Sequence, residues 1–253
     1  MEDQEVPLEG GNATDGVVRV GSTVRKPWTP NTAAVFEFME AVRADGVDVP
    51  ATFGKDDQGR QVTEFIPGHL ALHAPPLTLP QLTRAGALVR SIHDAAGDFT
   101  PSISLVEDVL LPAPDEELMC HNDLAPWNLI LGERWVFIDW DGAGPSTRLW
   151  DLAYAAQAFT LSDVNEPPDK AAVRLAAFVH GYGADHDIRK QLPATMALRT
   201  KAMYDMLASS HLVSREPWGS MYSEGHGDHW NAATTFVESH QRHWAYALSH
   251  NDR

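Results

Sequence analysis

The chain has 253 residues, 43% of them apolar, enough for one large domain or two small lobes around a buried core. Its 35 acidic and 19 basic residues leave a formal charge of −16, which argues against nucleic acid and anionic membrane surfaces as partners. A cationic small molecule suits that field better, although an acidic surface also serves solubility alone. The single cysteine, Cys120, excludes a disulfide framework and fits a cytoplasmic protein. The acidic opening carries no signal-peptide pattern, and no apolar run reaches membrane-spanning length.

Residues 1–9 read as a frayed arm. The Gly/Asn/Asp/Thr segment 10–16 is either a plain entry turn or a loop whose backbone amides can approach phosphates. Residues 17–20 and 23–25, around Gly21-Ser22, read as a hairpin. Pro30 opens a helix to Ala44 with Val35, Phe38, Met39 and Val42 as its apolar face, and Gly46 ends it. A second hairpin, 51–54 with 61–66, turns at 56–59 and stops at Pro67-Gly68. An amphipathic helix follows over Leu79–Ala95, with His93 as a packing or capping residue. Residues 97–114 read as loop. Beyond residue 150, helices are expected at 151–159, 170–181, 192–214 and 230–248. The segment 218–230 reads as an open loop. His226, Asp228 and His229 fall in it, but their spacing matches no zinc pattern.

The most informative stretch is 120–140, CHNDLAPWNLILGERWVFIDW. Pro126 keeps the loop carrying Asp123 and Asn128 from being helical. Residues 129–131 and 135–138 are apolar strands joined by the turn 132–134. That hairpin returns Asp139, just past its second strand, to Asn128, just before its first. An amide and a carboxylate so placed offer oxygen ligands suited to Mg²⁺, which takes the rest of its shell from water and phosphate. A separate carboxylate beside them, Asp123, is what phosphoryl transfer to a hydroxyl needs to orient the acceptor and take its proton.

The spacing His121-x-Asp123-Leu124…Asn128 resembles the catalytic loop of protein-kinase-like enzymes. With Ile138-Asp139-Trp140 and Asp151-Leu152-Ala153 it resembles more closely the aminoglycoside phosphotransferase family, whose members carry HGDLxxxN, IDW and DLA. The motif covers about residues 120–155; the layout covers most of the chain. The resemblance implies an α+β, two-lobed protein-kinase-like fold, with a small β-rich nucleotide-binding lobe over residues 1–66 and a larger, mostly helical lobe over 67–253. It implies a small-molecule O-phosphotransferase using ATP or GTP and Mg²⁺. Asp123 would be the base, His121 a catalytic-loop residue that braces the loop, and Asn128 and Asp139 the metal ligands. The cation that holds the nucleotide phosphates would be Arg25, with Lys26 the alternative on the other strand face. Glu64 and Ile66 would offer backbone contacts to the base at the hinge. The family's helix glutamate has no aligned counterpart; Glu37 and Glu40 are the available ones. Asp141 reads as a turn former within reach of the metal, and Asp151 as a helix cap or anchor or a catalytic group. An acidic, aromatic rim of Glu216, Trp218, Tyr222, Glu224 and Asp228 would receive the acceptor. The acceptor is then an aminoglycoside or other amino-containing antibiotic, or a metabolite such as choline, homoserine or a sugar-like alcohol. The competing class is a catalytically silent kinase-like binding module. The missing D-F-G and A-P-E motifs argue against a protein kinase.

Overall fold

The computed structural model describes residues 4–8 and 16–249. The expected glycine-rich approach to the first hairpin, residues 10–15, lies outside them. The first part of the chain is an antiparallel sheet carrying one helix. Its strands are β1 (Glu5–Pro7), β2 (Val18–Val20) and β3 (Thr23–Lys26); helix α1 (Thr32–Ala44) precedes β4 (Thr52–Lys55) and β5 (Gln61–Glu64). The spatial order is β1-β2-β3-β5-β4. Both expected hairpins are present, with Val18 opposite Arg25 in the first and Thr52 opposite Thr63 in the second; β3 and β5 pair across them, with Lys26 opposite Gln61. Part of the arm expected to fray forms an edge strand instead. Glu5 lies opposite Val20, and its carboxylate holds Arg60 at 2.7 Å.

Helix α1 begins two residues after Pro30. Asn31 is turned outward, accepting from the amides of Val106 and Glu107 at 2.7 and 3.0 Å. The apolar face lies as the periodicity predicts. Phe38 is fully buried and packs edge-on against Trp140 at 5.7 Å. The helix therefore presses directly on the residue that follows Asp139.

The rest of the chain is mostly helical around short strands. β6 (His69–Leu70) and helix α2 (Leu79–Ala95) precede β7 (Leu118–Cys120), β8 (Leu129–Leu131), β9 (Trp135–Phe137) and β10 (Gly144–Ser146). Helices α3 (Arg148–Thr160), α4 (Pro168–Tyr182), α5 (His186–Leu212), α6 (Trp218–Met221), α7 (Gly227–Ser239) and α8 (Gln241–Ser249) complete it. The hairpin β8–β9 pairs Leu129 with Phe137, and β6 adds a third strand beside β8. The layout is the two-lobed α+β fold of protein-kinase-like enzymes.

Helix ends differ from the periodicity where capping chemistry decides. Thr147 accepts from the Trp150 amide at 3.0 Å, so α3 starts three residues before Asp151. Asp185 caps α5 in the same way at 2.8 Å, so that helix starts at His186 and has Pro193 within it. The predicted last helix is two, broken at His240. The segment 218–230, read as an open loop, is folded into α6, a wider turn and the start of α7.

Helices α2 and α4 cross so closely that only glycine fits at the contact. A Cβ on Gly181 would overlap the Thr83 carbonyl, and one on Gly86 the Phe178 carbonyl. Ala at an exposed helix position gains up to ~1 kcal/mol over Gly. Here overpacking against backbone outweighs that gain, and Gly181→Ala should cost about 2–3 kcal/mol. A urea-unfolding midpoint equal to or above wild type would contradict this close approach.

Candidate active site

The predicted block assembles as its spacing requires. The Ile138 amide donates to the Asn128 carbonyl at 2.8 Å, which closes the hairpin and sets Asp139 next to the Asn128 end. Strand β7 delivers the loop from the other side, pinned by its pairing of Cys120 with Gly144.

His121 is fully buried. Its Nδ1 accepts from the Asp123 amide at 3.2 Å, and its Nε2 faces the Ile138 carbonyl at 3.1 Å. Those partners require a neutral ring protonated at Nε2. Burial holds its pKa below the usual histidine value. The ring also packs at 4.7 Å on Trp140. His121 thus ties the loop to the end of β9 and has no free nitrogen to exchange protons with an acceptor. These contacts suit the bracing role expected for His121.

Asn122 stands where the resembling family has glycine. Its φ is 64°, a left-handed conformation that asparagine tolerates better than other side-chain-bearing residues. Its amide adds bonds of 3.2 Å to the carbonyls of both Gly142 and Gly144. The departure from glycine therefore keeps the turn and stitches the loop to the segment after Asp139.

Asp123 is half-buried, and its carboxylate is held from three directions. Asn128 Nδ2 donates to Oδ2 at 2.8 Å, the Tyr154 hydroxyl to Oδ1 at 2.8 Å, and Trp127 Nε1 to Oδ1 at 3.4 Å. Burial dominates its protonation, with the Asp139 charge adding to it. Together they outweigh the Tyr154 and Asn128 hydrogen bonds and push the carboxyl from 3.8 to about 7. The folded protein therefore binds this proton more tightly than the unfolded chain does. The group's contribution to stability falls as pH rises from about 4 to 7. Asp123→Asn, which carries no such proton, should melt above wild type at pH 8 in metal-free protein, with the advantage fading toward pH 4. Equal melting temperatures at pH 8 would remove the desolvated carboxylate from the account.

Asp139 is exposed, with φ at 62°. It contacts Lys26 Nζ, which also meets Asp141 at 2.6 Å. Gln61, the strand partner of Lys26, donates to Asp141 Oδ1 at 3.0 Å. Asp141 is therefore part of this charged group and more than a turn former. Of the two candidate cations it is Lys26, the alternative, that faces Asp139. Strand alternation sends Arg25 to the other face, where it meets Thr23 at 2.5 Å and Asp56 at 3.4 Å. Neither helix glutamate meets Lys26. Glu37 accepts from the Ser102 and Ile103 amides at 3.0 and 3.1 Å, and Glu40 accepts from Thr52 at 2.6 Å.

At the expected hinge, the Glu64 amide is committed to the Ala51 carbonyl at 2.8 Å, and its carboxylate to Arg134 at 2.5 Å. That amide is not available to a ligand. Ile66 lies beyond β5, buried against Ile130 and Val136. Asp151 is buried and structural. Its Oδ2 meets His93 Nε2 at 3.1 Å, and His93 Nδ1 meets the Tyr182 hydroxyl at 2.9 Å. His93, Cys120 and Asp151 are the only three described residues of metal-ligating type clustered this closely; His226, Asp228 and His229 are not such a group.

Of the expected rim, Trp218 and Tyr222 join an aromatic cluster with Trp127, Tyr154, Tyr204 and Trp230. Glu216, Glu224 and Asp228 are exposed, and Glu216 accepts from the Ser220 amide at 3.1 Å. Sequence reasoning passed over Tyr154 and Trp127, the two aromatic donors to Asp123. Trp127 lies inside the motif. Tyr154 follows Asp151 by three, so one helical turn links the buried anchor to the site.

Residues 103–192 match the profile of the phosphotransferase enzyme family. No curated protein matches the chain by sequence. Among solved structures, a microcompartment-associated aminopropanol kinase is 16% identical, with 94% of this chain and 92% of that one covered at a TM-score of 0.65. An amicoumacin kinase in complex with AMP-PNP and Ca²⁺ is 13% identical, with 94% and 88% covered at 0.67. An aminoglycoside-3′-phosphotransferase of type VIII is 23% identical, with 80% and 94% covered at 0.53. The segment holding His121, Asp123, Asn128 and Asp139 is thus similar to the phosphotransferase enzyme family, carried on a two-lobed protein-kinase-like fold.

Proposed function

We propose that this protein is a small-molecule kinase that moves the γ-phosphate of ATP or GTP to the hydroxyl of a small acceptor. The observation that carries the reading is that Lys26, from the sheet, meets Asp139 and Asp141 at the end of the hairpin whose other end holds Asn128 against Asp123. Asp123 orients the acceptor hydroxyl and takes its proton. Asn128 Nδ2 is spent on Asp123, which leaves the amide oxygen, with the exposed carboxylate of Asp139, as hard oxygen donors that fit Mg²⁺. Held there, Mg²⁺ would supply positive charge to offset that of the nucleotide phosphates. Lys26 then turns from its carboxylates to the phosphates, and catalysis comes from positioning and charge neutralisation. Residues 1–66 serve as the nucleotide-binding lobe, with Ile66 at the hinge, and 67–253 carry the catalytic and acceptor-binding groups.

For the acceptor we favour an amino alcohol or an amino-containing antibiotic. The aromatic cluster beside Asp123 and the net charge of −16 suit a cation with an apolar body. Similar structures include kinases named for aminopropanol, ethanolamine and choline, and aminoglycosides. Calorimetric titration of ATP and GTP, with and without Mg²⁺, tests the nucleotide half of the reading. Wild type should bind in a Mg²⁺-dependent way and Asp139→Ala should not. Equal binding by both proteins would overturn the metal assignment.

A further inference from the structure

Helix α5 sends one cation into the core beneath the Asp123 loop. Arg199 is 3% exposed, and among the described residues no carboxylate forms a salt bridge with it. Its guanidinium lies 4.3 Å over the face of the Tyr154 ring and 5.6 Å from that of Trp150. Nη2 reaches the Asn122 carbonyl at 3.5 Å, while Nε and Nη1 have no hydrogen-bond partner. A buried, unpaired guanidinium is costly to keep, and an apolar side chain would pack there more cheaply. Such local departures from stability concentrate at functional sites.

Both things that Arg199 touches lead to Asp123. The Asn122 carbonyl belongs to the residue before it, held in a left-handed conformation. Tyr154, itself 3% exposed, stacks beside Trp230 and gives its hydroxyl to Asp123 Oδ1 at 2.8 Å. We propose that Arg199 and Tyr154 are positioning residues for the transfer: Arg199 clamps the Tyr154 ring and the residue-122 carbonyl, and Tyr154 fixes the rotamer of the Asp123 carboxylate. This rests on the reading of Asp123 as the group that meets the acceptor. Without the clamp the carboxylate turns about χ1 and χ2, held only by Asn128 and the long Trp127 contact. Reacting groups displaced by a fraction of an ångström lose much of the benefit of orientation.

The test uses the full chain and Mg²⁺-dependent ATP hydrolysis, with water as the acceptor. Tyr154→Phe and Arg199→Met should each lower kcat about tenfold, with KM for MgATP within about twofold of wild type. The double variant should be no slower than Arg199→Met alone, since Arg199 acts through Tyr154. Arg199→Lys, which keeps the charge over the ring, should recover part of the rate. Crystal structures of Tyr154→Phe and Arg199→Met should show the Asp123 carboxylate rotated off its present contacts. An Asp123→Ala variant that hydrolyses ATP like wild type would remove the reading of Asp123 itself. An inactive Asp123→Ala beside fully active Tyr154→Phe and Arg199→Met would overturn the positioning role alone. So would losses that multiply in the double variant, a KM that rises in step with the fall in kcat, or a carboxylate unmoved in both crystal structures. The crystal structures decide the matter by themselves if hydrolysis by wild type is too slow to follow.

Discussion

Asp123→Ala should lower acceptor-dependent kcat by about 10³-fold while leaving MgATP affinity within twofold of wild type. The carboxylate is positioned to act on an incoming hydroxyl, held by Asn128 and Tyr154 at 2.8 Å each. It forms no hydrogen bond or ion pair with the Lys26–Asp139–Asp141 group, and its bond to Asn128 uses Nδ2, which leaves the amide oxygen of that expected metal ligand free. The substitution therefore removes an interaction made in the transition state and spares the ground-state complex. Loss of MgATP binding in step with kcat would place Asp123 among the metal-binding groups instead. Turnover at the wild-type rate would show that the hydroxyl is activated elsewhere.

The second large effect separates neighbouring cations. Lys26→Met should raise KM for MgATP by 10- to 100-fold, as expected for about 1.5–3 kcal/mol of charge-assisted bonding to phosphate oxygens. It also leaves Asp139 and Asp141 without their shared counter-charge. Arg25→Met removes a pairing with Asp56 on the opposite sheet face, worth under ~1 kcal/mol, and should change KM by less than twofold. The reverse result, with Arg25→Met crippled and Lys26→Met unaffected, would mean that nucleotide binds the other face of the sheet.

The difference between these two residues shows what the chain conveys by itself. Alternation along Thr23–Lys26 says that one cation faces in and the other out. Which is which depends on Gln61, Asp139 and Asp141, from 35 to 115 residues away, meeting on one side. The arrangement of the 120–140 block was legible because a three-residue turn between two apolar strands brings its groups together locally. Asp151 could not be settled in advance. Its role follows from His93 on α2 and Tyr182 at the end of α4, contacts that no local pattern encodes. Tyr154 and Arg199 were invisible for the same reason. A tyrosine in an apolar helix reads as core, and only the crossing of α3 and α5 puts an arginine over its ring.

The edge strand β1 and the folded segment 218–230 were lost for a different reason. Their local composition favours turns and open loops, and tertiary pairing overrides it. Glu5 gains a strand partner and Arg60. Trp218 and Trp230 gain the aromatic cluster beside Asp123. The groups most expected to choose the acceptor therefore lie in the part of the chain that local pattern describes least well. That is why the chemistry could be read further than its substrate.

The most direct measurement is a coupled nucleotide-turnover assay with Mg²⁺ and either ATP or GTP. The acceptors would be aminopropanol, ethanolamine, choline, homoserine, aminoglycosides and other amino-containing antibiotics, with Asp123→Ala as the blank. The account predicts turnover that depends on at least one amino-bearing alcohol and disappears in the variant. Nucleotide consumption that no acceptor stimulates and that Asp123→Ala retains in full would contradict it.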